Sequence, residues 1–198
     1  MSVNEEKIEL RQKAKERRNT WAKTAGNDSA KNLKKNFLHI LENFNFQTGN
    51  SIIIAGFWPI ADEMDVRPLI SELHETGHSI ALPVVVGADK PLIFRIWKPE
   101  IILEKGDFGT QHPSAEQPEV VPQMMLVPLL AFDAYGQRLG WGGGFYDRTI
   151  SKFRKKSSVI TVGIAYKGQQ VDNVPHMATD EPLDWIVTEI DSLMIVKQ

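Results

Sequence analysis

The first 25 residues are mostly charged, but Leu10, Ala14, Trp21 and Ala25 stand at offsets of 4, 11 and 15 from Leu10 and so form one apolar stripe. That spacing predicts a helix from about Asn4 to Ala25, and a second helix is predicted over Ser29 to Phe46. The period then changes. "SIIIAGFW" (Ser51–Trp58) is a short β-branched run, "MDVRPLISELHETG" (Met64–Gly77) returns to helical spacing, and "HSIALPVVV" (His78–Val86) is apolar and β-branched again. A strand, helix, strand order of this kind predicts a mainly parallel sheet. Further strands are predicted at "LIFRIW", "MMLVPLLAFD", "SSVITVGIAY" and "DWIVTE". Between Pro99 and Pro122 there are also prolines at 113 and 118 and little periodicity, so that stretch reads as an irregular surface excursion. Pro83, Pro128 and Pro182 are expected at strand ends or loop starts, where a missing N–H is tolerable. The expectation is an α/β fold with a mainly parallel sheet flanked by helices, Rossmann-like and three-layered, with an N-terminal helical arm. Residues 1–198 are expected to form a single domain.

Composition narrows the chemistry. Lys plus Arg number 23 against 25 Asp plus Glu, a net charge of −2. No global field therefore draws the chain to nucleic acid or an anionic membrane, and any anion site must be local. There is no cysteine, which excludes thiol nucleophiles, thiolate metal sites and disulfides, and suits a reducing compartment. The charged N-terminus and the lack of any apolar run near the roughly 18 residues of a membrane span lead to an expected cytoplasmic location. No obligate protein partner is expected.

"QRLGWGGGFYDR" (Gln137–Arg148) puts four glycines, two arginines, an aspartate and three aromatics into one short stretch just past a predicted strand end. Open α/β sheets bind ligands at that place. The spacing is neither a dinucleotide fingerprint, because Phe145 stands where the third glycine belongs, nor a P-loop, because no Gly-Lys-Ser/Thr follows. Gly140, Gly142, Gly143 and Gly144 could still present backbone N–H groups to an anion, with "FYDRTISKF" continuing as a helix whose N-terminus is electropositive. Arg138 and Arg148 flank this loop, and Asp147 among such donors suggests a Mg²⁺ between carboxylate and phosphate. A plain glycine-rich turn with a helix-start aspartate is the alternative. Lys7 and Arg11 share one face of the first helix beside the apolar stripe, either reaching into a cleft or snorkelling in solvent. In "FWPIADEMD", Trp58 precedes Asp62, Glu63 and Asp65, which suits either a flat heterocycle with N–H donors or an acidic helix approach. "HETGH" (His74–His78) matches the His-Glu-x-x-His zinc hydrolase pattern, but Gly77 is expected to end the helix and strand His78 outside it.

These residues together carry a resemblance. "RLGWGGGFYDR" resembles the signature of the 5-formyltetrahydrofolate cyclo-ligase (5,10-methenyltetrahydrofolate synthetase) family. Lys7 with Arg11, the acidic loop with Glu63, and the segment from Pro175 to Asp180 match further family features in order. The resemblance implies Mg²⁺- and ATP-dependent conversion of 5-formyltetrahydrofolate to 5,10-methenyltetrahydrofolate with ADP and phosphate as products. It implies that Lys7, Arg11 and the run Arg138, Leu139, Gly140, Trp141, Gly142, Gly143, Gly144, Phe145 and Tyr146, with Arg148, bind ATP. Lys7, Arg11 and Arg138 would stabilise phosphate charge, and Trp58, Glu63, Phe108 and Tyr146 would contact the folate. Asp147 and Asp180 would hold Mg²⁺. The chain departs from relatives at Trp141, where a Tyr or a basic residue is usual, at Gly143, where some have Lys, and at Thr179, where many have His. A nucleotide- or folate-binding protein without turnover is the alternative that keeps the same loop.

Overall fold

The computed structural model describes residues 2–42, 44 and 51–196. Helix α1 spans Val3–Thr24 and α2 spans Ser29–Leu41; residues 43, 45 and 46 of the longer expected second helix lie outside the described residues. Strand β1 (Ile53–Ala55) leads through α3 (Arg67–Glu75) to β2 (Ser79–Val84), followed by β3 (Ile93–Trp97). The excursion after Pro99 holds β4 (Glu104–Lys105), β5 (Gln111–His112) and β6 (Glu119–Val120). Then come β7 (Met124–Pro128), β8 (Ala131–Phe132), β9 (Arg138–Leu139), α4 (Phe145–Arg154), β10 (Ile160–Ile164), β11 (Trp185–Val187) and β12 (Ser192–Met194).

Eight strands form one sheet in the order β12-β11-β10-β7-β1-β2-β3-β6. The five central strands are parallel, and β12, β3 and β6 add antiparallel edges. The parallel heart follows from the β1-α3-β2 crossover, which brings the chain back to the same end before the next strand starts. The antiparallel β3 follows β2 by a short connection, and so cannot be parallel to it. The predicted strand Met124–Asp133 is divided: β7 ends at Pro128 and β8 pairs with β9 in a separate two-stranded ladder. Pro83 lies inside β2 rather than at a strand end, and is accommodated because β1 pairs only with Ser79 to Ala81. The stretch from Pro99 to Pro122 is less irregular than its prolines suggest, since β4 and β5 form a hairpin and β6 pairs with β3.

Alternation along β7 builds the three layers. Met124 and Leu126 face a core with Leu33, Phe37 and Ile40 of α2 and Leu69, Ile70 and Leu73 of α3, whereas Met125 and Val127 face one with Ile150 and Phe153 of α4. Complete burial of side chains such as Phe37 and Leu69 stabilises the fold by about 1.5–3 kcal/mol each. The N-terminal helical arm folds back over the sheet's end. Ser2 begins α1 with a capping box to Glu5, and Ala14 joins a small cluster with Leu130, Leu139 and Val174. Trp21 sits so tightly on the turn Lys167–Gln169 that a Cβ at Gly168 would fall 1.2 Å from its Nε1. This contact fixes where the charged face of α1 points. Among the described residues no helix is long and apolar enough to cross a membrane.

Candidate active site at the carboxyl ends of the parallel strands

The chain runs from β1 outward to β2 in one direction and from β7 outward to β10 and β11 in the other. A crevice opens at this switch point, where strand-end loops separate. Phe57 and Trp58 after β1, Val85 after β2 and Pro128 closing β7 line a cavity of about 1480 Å³ there. Every site residue expected from the sequence borders this one cavity: Lys7, Arg11, Trp58, Glu63, Phe108, the whole run Arg138–Arg148, and Asp180.

The glycine loop joins β9 to α4, and its glycines differ in what they do. Gly142 has φ +108° and Gly144 φ +64°, so both need the left-handed region that other residues enter at a cost. Gly140 and Gly143 do not; at Gly143 a Cβ would meet the Phe145 ring at 2.7 Å. Gly144 is the N-cap of α4 and provides no side-chain cap. The first amides of α4 therefore keep free N–H donors and the positive end of the helix dipole, as an anion site requires. Arg148 is tied into the loop instead of reaching outward, its Nη2 donating to the Gly143 carbonyl at 2.7 Å.

Helix α1 brings its cations to the opposite wall. Arg11 Nε donates to the Gly140 carbonyl at 3.0 Å, and buried Lys7 forms an ion pair with Asp180. Arg138 pairs with Asp147 at 2.7 Å, and Asp147 Oδ1 also accepts the Glu181 N–H at 3.2 Å. Both expected metal ligands are thus neutralised by a cation on one oxygen. Among the described residues, Asp147 Oδ2 and Asp180 Oδ1 carry no hydrogen bond. Two carboxylates with a spare oxygen each, one of them bonded to the residue following the other, are hard donors of the kind Mg²⁺ takes alongside phosphate oxygens.

The acidic loop after β1 divides its labour. Asp65 is satisfied by Arg67, away from the cavity wall, while Asp62 binds Arg18 at 2.6 Å. Glu63 alone turns into the crevice, buried, with Oε2 accepting the Ile60 N–H at 2.9 Å and Oε1 accepting the Trp141 indole N–H at 3.3 Å. Burial pushes the Glu63 carboxyl above its ordinary range, opposed by the Ile60 amide, the Arg18 charge and the Trp141 bond. Burial, with the neighbouring Glu63 charge, also raises the Tyr146 phenol far above its usual value, so it stays protonated as a donor. Phe108 sits at the tip of the β4-β5 hairpin with φ +58° and packs on Phe145, ring centroids 5.9 Å apart. A non-glycine residue strained in this way beside a cleft is a common mark of a working site.

Sequence reasoning missed Arg18, one of the most deeply buried side chains. Its offset of 11 from Lys7 puts it on the same helical face three turns on, and that spacing could have revealed it. It also missed the stacking of Trp141, which has Lys15 Nζ 4.9 Å and Arg18 Cζ 5.0 Å from its ring. The His-Glu-x-x-His match has no metal geometry. Helix α3 ends at Glu75, Gly77 has φ +96°, and His78 Nδ1 instead accepts the Ile52 N–H at 3.5 Å.

A parallel α/β sheet with a glycine loop leading into an uncapped helix start and a buried carboxylate in one switch-point crevice defines a small-molecule enzyme of the open-sheet class. The comparisons with known proteins narrow it. The 5-formyltetrahydrofolate cyclo-ligase family model matches residues 3–189, and the chain belongs to that family. It is 37% identical over 135 residues to the 5-formyltetrahydrofolate cyclo-ligase of Haemophilus influenzae, covering 66% of this chain and 72% of that one. To the enzyme of the same name from Escherichia coli K12 it is 35% identical over 140 residues, covering 68% and 76%. The solved 5,10-methenyltetrahydrofolate synthetase of Aquifex aeolicus superposes with a TM-score of 0.76 at 28% identity, covering 97% of this chain and 94% of that one. The fold also matches the Mycoplasma pneumoniae synthetase, with a TM-score of 0.63 at 21% identity over 96% and 99% of the chains. This chain is accordingly an enzyme with 5-formyltetrahydrofolate cyclo-ligase activity.

Proposed function

We propose that the crevice binds MgATP and 5-formyltetrahydrofolate side by side, transfers the γ-phosphoryl group to the formyl oxygen, and releases 5,10-methenyltetrahydrofolate, ADP and phosphate. The observation that carries this reading is the convergence of two unlike ends in one cavity. The anion end holds the glycine loop, the α4 N-terminus, Lys7, Arg11 and Arg138; the other end holds Trp58, Glu63 and Phe108. Its volume of about 1480 Å³ exceeds the roughly 300–1,000 Å³ of a one-ligand pocket.

The formyl oxygen on N5 is amide-like and a poor leaving group. Once it carries the phosphoryl group, N10 attacks the formyl carbon, the C–O bond breaks, and oxygen departs as phosphate. Phosphoryl transfer asks the protein for alignment and charge neutralisation more than for covalent chemistry. Lys7, Arg11 and Arg138 supply positive charge, and the amides of the loop and of the α4 start supply directed donors. Asp147 and Asp180 would hold Mg²⁺, which when bound neutralises phosphate charge. Glu63 would accept N–H groups of the pteridine ring, whose flat faces Trp58 and Phe108 would cover, with the Tyr146 hydroxyl as a further donor. No side chain acts as nucleophile.

The test is near-ultraviolet absorbance of the protein with 5-formyltetrahydrofolate and MgATP, against controls without ATP and without Mg²⁺. Appearance of the methenyl chromophore only in the complete mixture is expected. Product formation without ATP or without Mg²⁺ would remove the phosphoryl-transfer reading.

A further inference from the structure

Arg18 has no place in the steps above, yet its position is unusual. It is 1% exposed, and its Nε and Nη2 both donate to Asp62 Oδ1, at 3.0 and 2.6 Å. Its Nη1 is buried with no hydrogen-bond partner and lies 3.6 Å from Glu63 Oε1, an ion-pair contact. A buried guanidinium N–H without a partner is costly, and Glu63 Oε1 is the acceptor that a small shift would bring within its reach. At present Glu63 Oε1 accepts the Trp141 indole N–H, while the Trp141 ring lies over the Arg18 guanidinium.

We propose that Arg18 is a positioning residue for the substrate, acting through Glu63. Pinned by Asp62, it offers Glu63 Oε1 a fixed, water-excluded positive charge that keeps the carboxylate ionised and aimed into the cleft. The inference rests on the reading of Glu63 as the folate acceptor. The other charged and titratable groups around Glu63 are Asp62 on its own loop, Lys15 on α1 beyond the Trp141 ring, and Tyr146 on α4 with Arg138 beside it. Of these Arg18 alone is a buried cation within ion-pair distance of Glu63. The carboxyl, already raised by burial, rises further without it, because desolvation then acts with less opposition.

The experiment measures KM for 5-formyltetrahydrofolate and KM for ATP separately, across mildly acidic to neutral pH, in the full chain and in Arg18→Met, Arg18→Lys and Glu63→Gln, with thermal melting as a check on folding. Arg18→Met is expected to raise the folate KM on the order of tenfold, the equivalent of one pKa unit. It should also move the acid limb of folate affinity to higher pH and leave the ATP KM unchanged, and Arg18→Lys should restore most of both. A folded Arg18→Met with unaltered folate KM and acid limb overturns the proposal, as does a parallel rise in both KM values that Lys does not rescue. If Arg18→Met does not fold, Arg18→Gln decides, since its amide can still donate to Asp62 while the charge is gone: folate KM should rise and the acid limb should move to higher pH as for Met, and a folded Arg18→Gln with unaltered folate KM and acid limb overturns the proposal. Glu63→Gln separates the two levels. An unchanged folate KM there sinks the substrate reading of Glu63 itself, whereas a raised one beside an unaffected Arg18→Met sinks the role of Arg18 alone.

Discussion

The two walls of the crevice are built in opposite ways. The glycine loop and the start of α4 form a contiguous run, Arg138 to Arg148, whose donors come from backbone conformation: Gly142 and Gly144 in the left-handed region and an N-terminus with no side-chain cap. The facing wall is a regular helix whose cations matter only because α1 is docked where it is. A local wall tolerates changes elsewhere in the fold and fails at its own residues. A docked wall fails at its docking point, far from the chemistry.

The largest effect expected from this contrast is therefore at Gly168, which touches no site residue of the loop. A Cβ there would overlap the Trp21 ring, so Gly168→Ala should lift α1, cost on the order of 3 kcal/mol or more and withdraw Lys7 and Arg11 from the cleft and Arg18 from beneath Trp141. Melting temperature and turnover should fall in step; wild-type values for both would show that α1 is not seated by this contact. Next comes Asp147→Asn. Turnover should drop by roughly 10²–10³, the scale for losing one electrostatic group at a reacting centre, and raising Mg²⁺ should not restore it. Because Arg138 is buried and relies on Asp147, some loss of thermal stability should accompany the change, as for any ion pair deprived of one partner. Normal activity in this variant would end the metal assignment.

Gly143→Val tests the local wall. The added Cβ meets the edge of Phe145, which is not fully buried and can turn aside into the nucleotide's approach. ATP affinity should fall about tenfold, corresponding to ~1.4 kcal/mol, with little change in melting temperature; unchanged ATP affinity by calorimetry would show that the ligand does not pass over Gly143. The smallest effect is expected at the seam between the walls. Trp141→Phe keeps an aromatic ring between Lys15 and Arg18 but deletes the N–H donated to Glu63. The change in folate KM should correspond to roughly 0.5–1.5 kcal/mol, with the ATP KM constant. A larger shift in the ATP KM than in the folate KM would place Trp141 with the nucleotide instead.

Glu63 also sets a pH dependence. Its folded pKa is raised, so its ionisation costs stability, and relative to Glu63→Gln the wild-type protein should lose stability as pH rises through that value. Folate affinity should show the opposite sign, falling as pH drops through the same window above the ordinary glutamate range, and staying flat in Glu63→Gln. Melting curves and KM measured over one pH series check both signs.

The glycine loop, the helix after it and the β1-α3-β2 rhythm were legible in the sequence. Each depends on neighbours a few residues apart: hydrophobic period for the helices and strands, left-handed backbone for Gly142 and Gly144, and a terminator at Gly77 that takes His78 off its helix. The division of Met124–Asp133 into β7 and β8, and the strand pairing of the proline-rich excursion, were not legible, because β8 and β9 are two residues each, too short to show a period, and because β6 is paired by β3 from before the excursion. The same holds for the chemistry. Residue types alone pointed to phosphate, a metal and a flat heterocycle, since charge and donor inventory are properties of side chains. Only the tertiary structure decided that Lys7 meets Asp180, that Arg138 holds Asp147, and that Arg18 lies under Trp141 beside Glu63. Lys7 meets Asp180 from opposite ends of the chain, and Arg18 meets Glu63 from a different element; even the nearer Arg138–Asp147 pair depends on how the glycine loop folds back, and no hydrophobic period encodes which surfaces will meet.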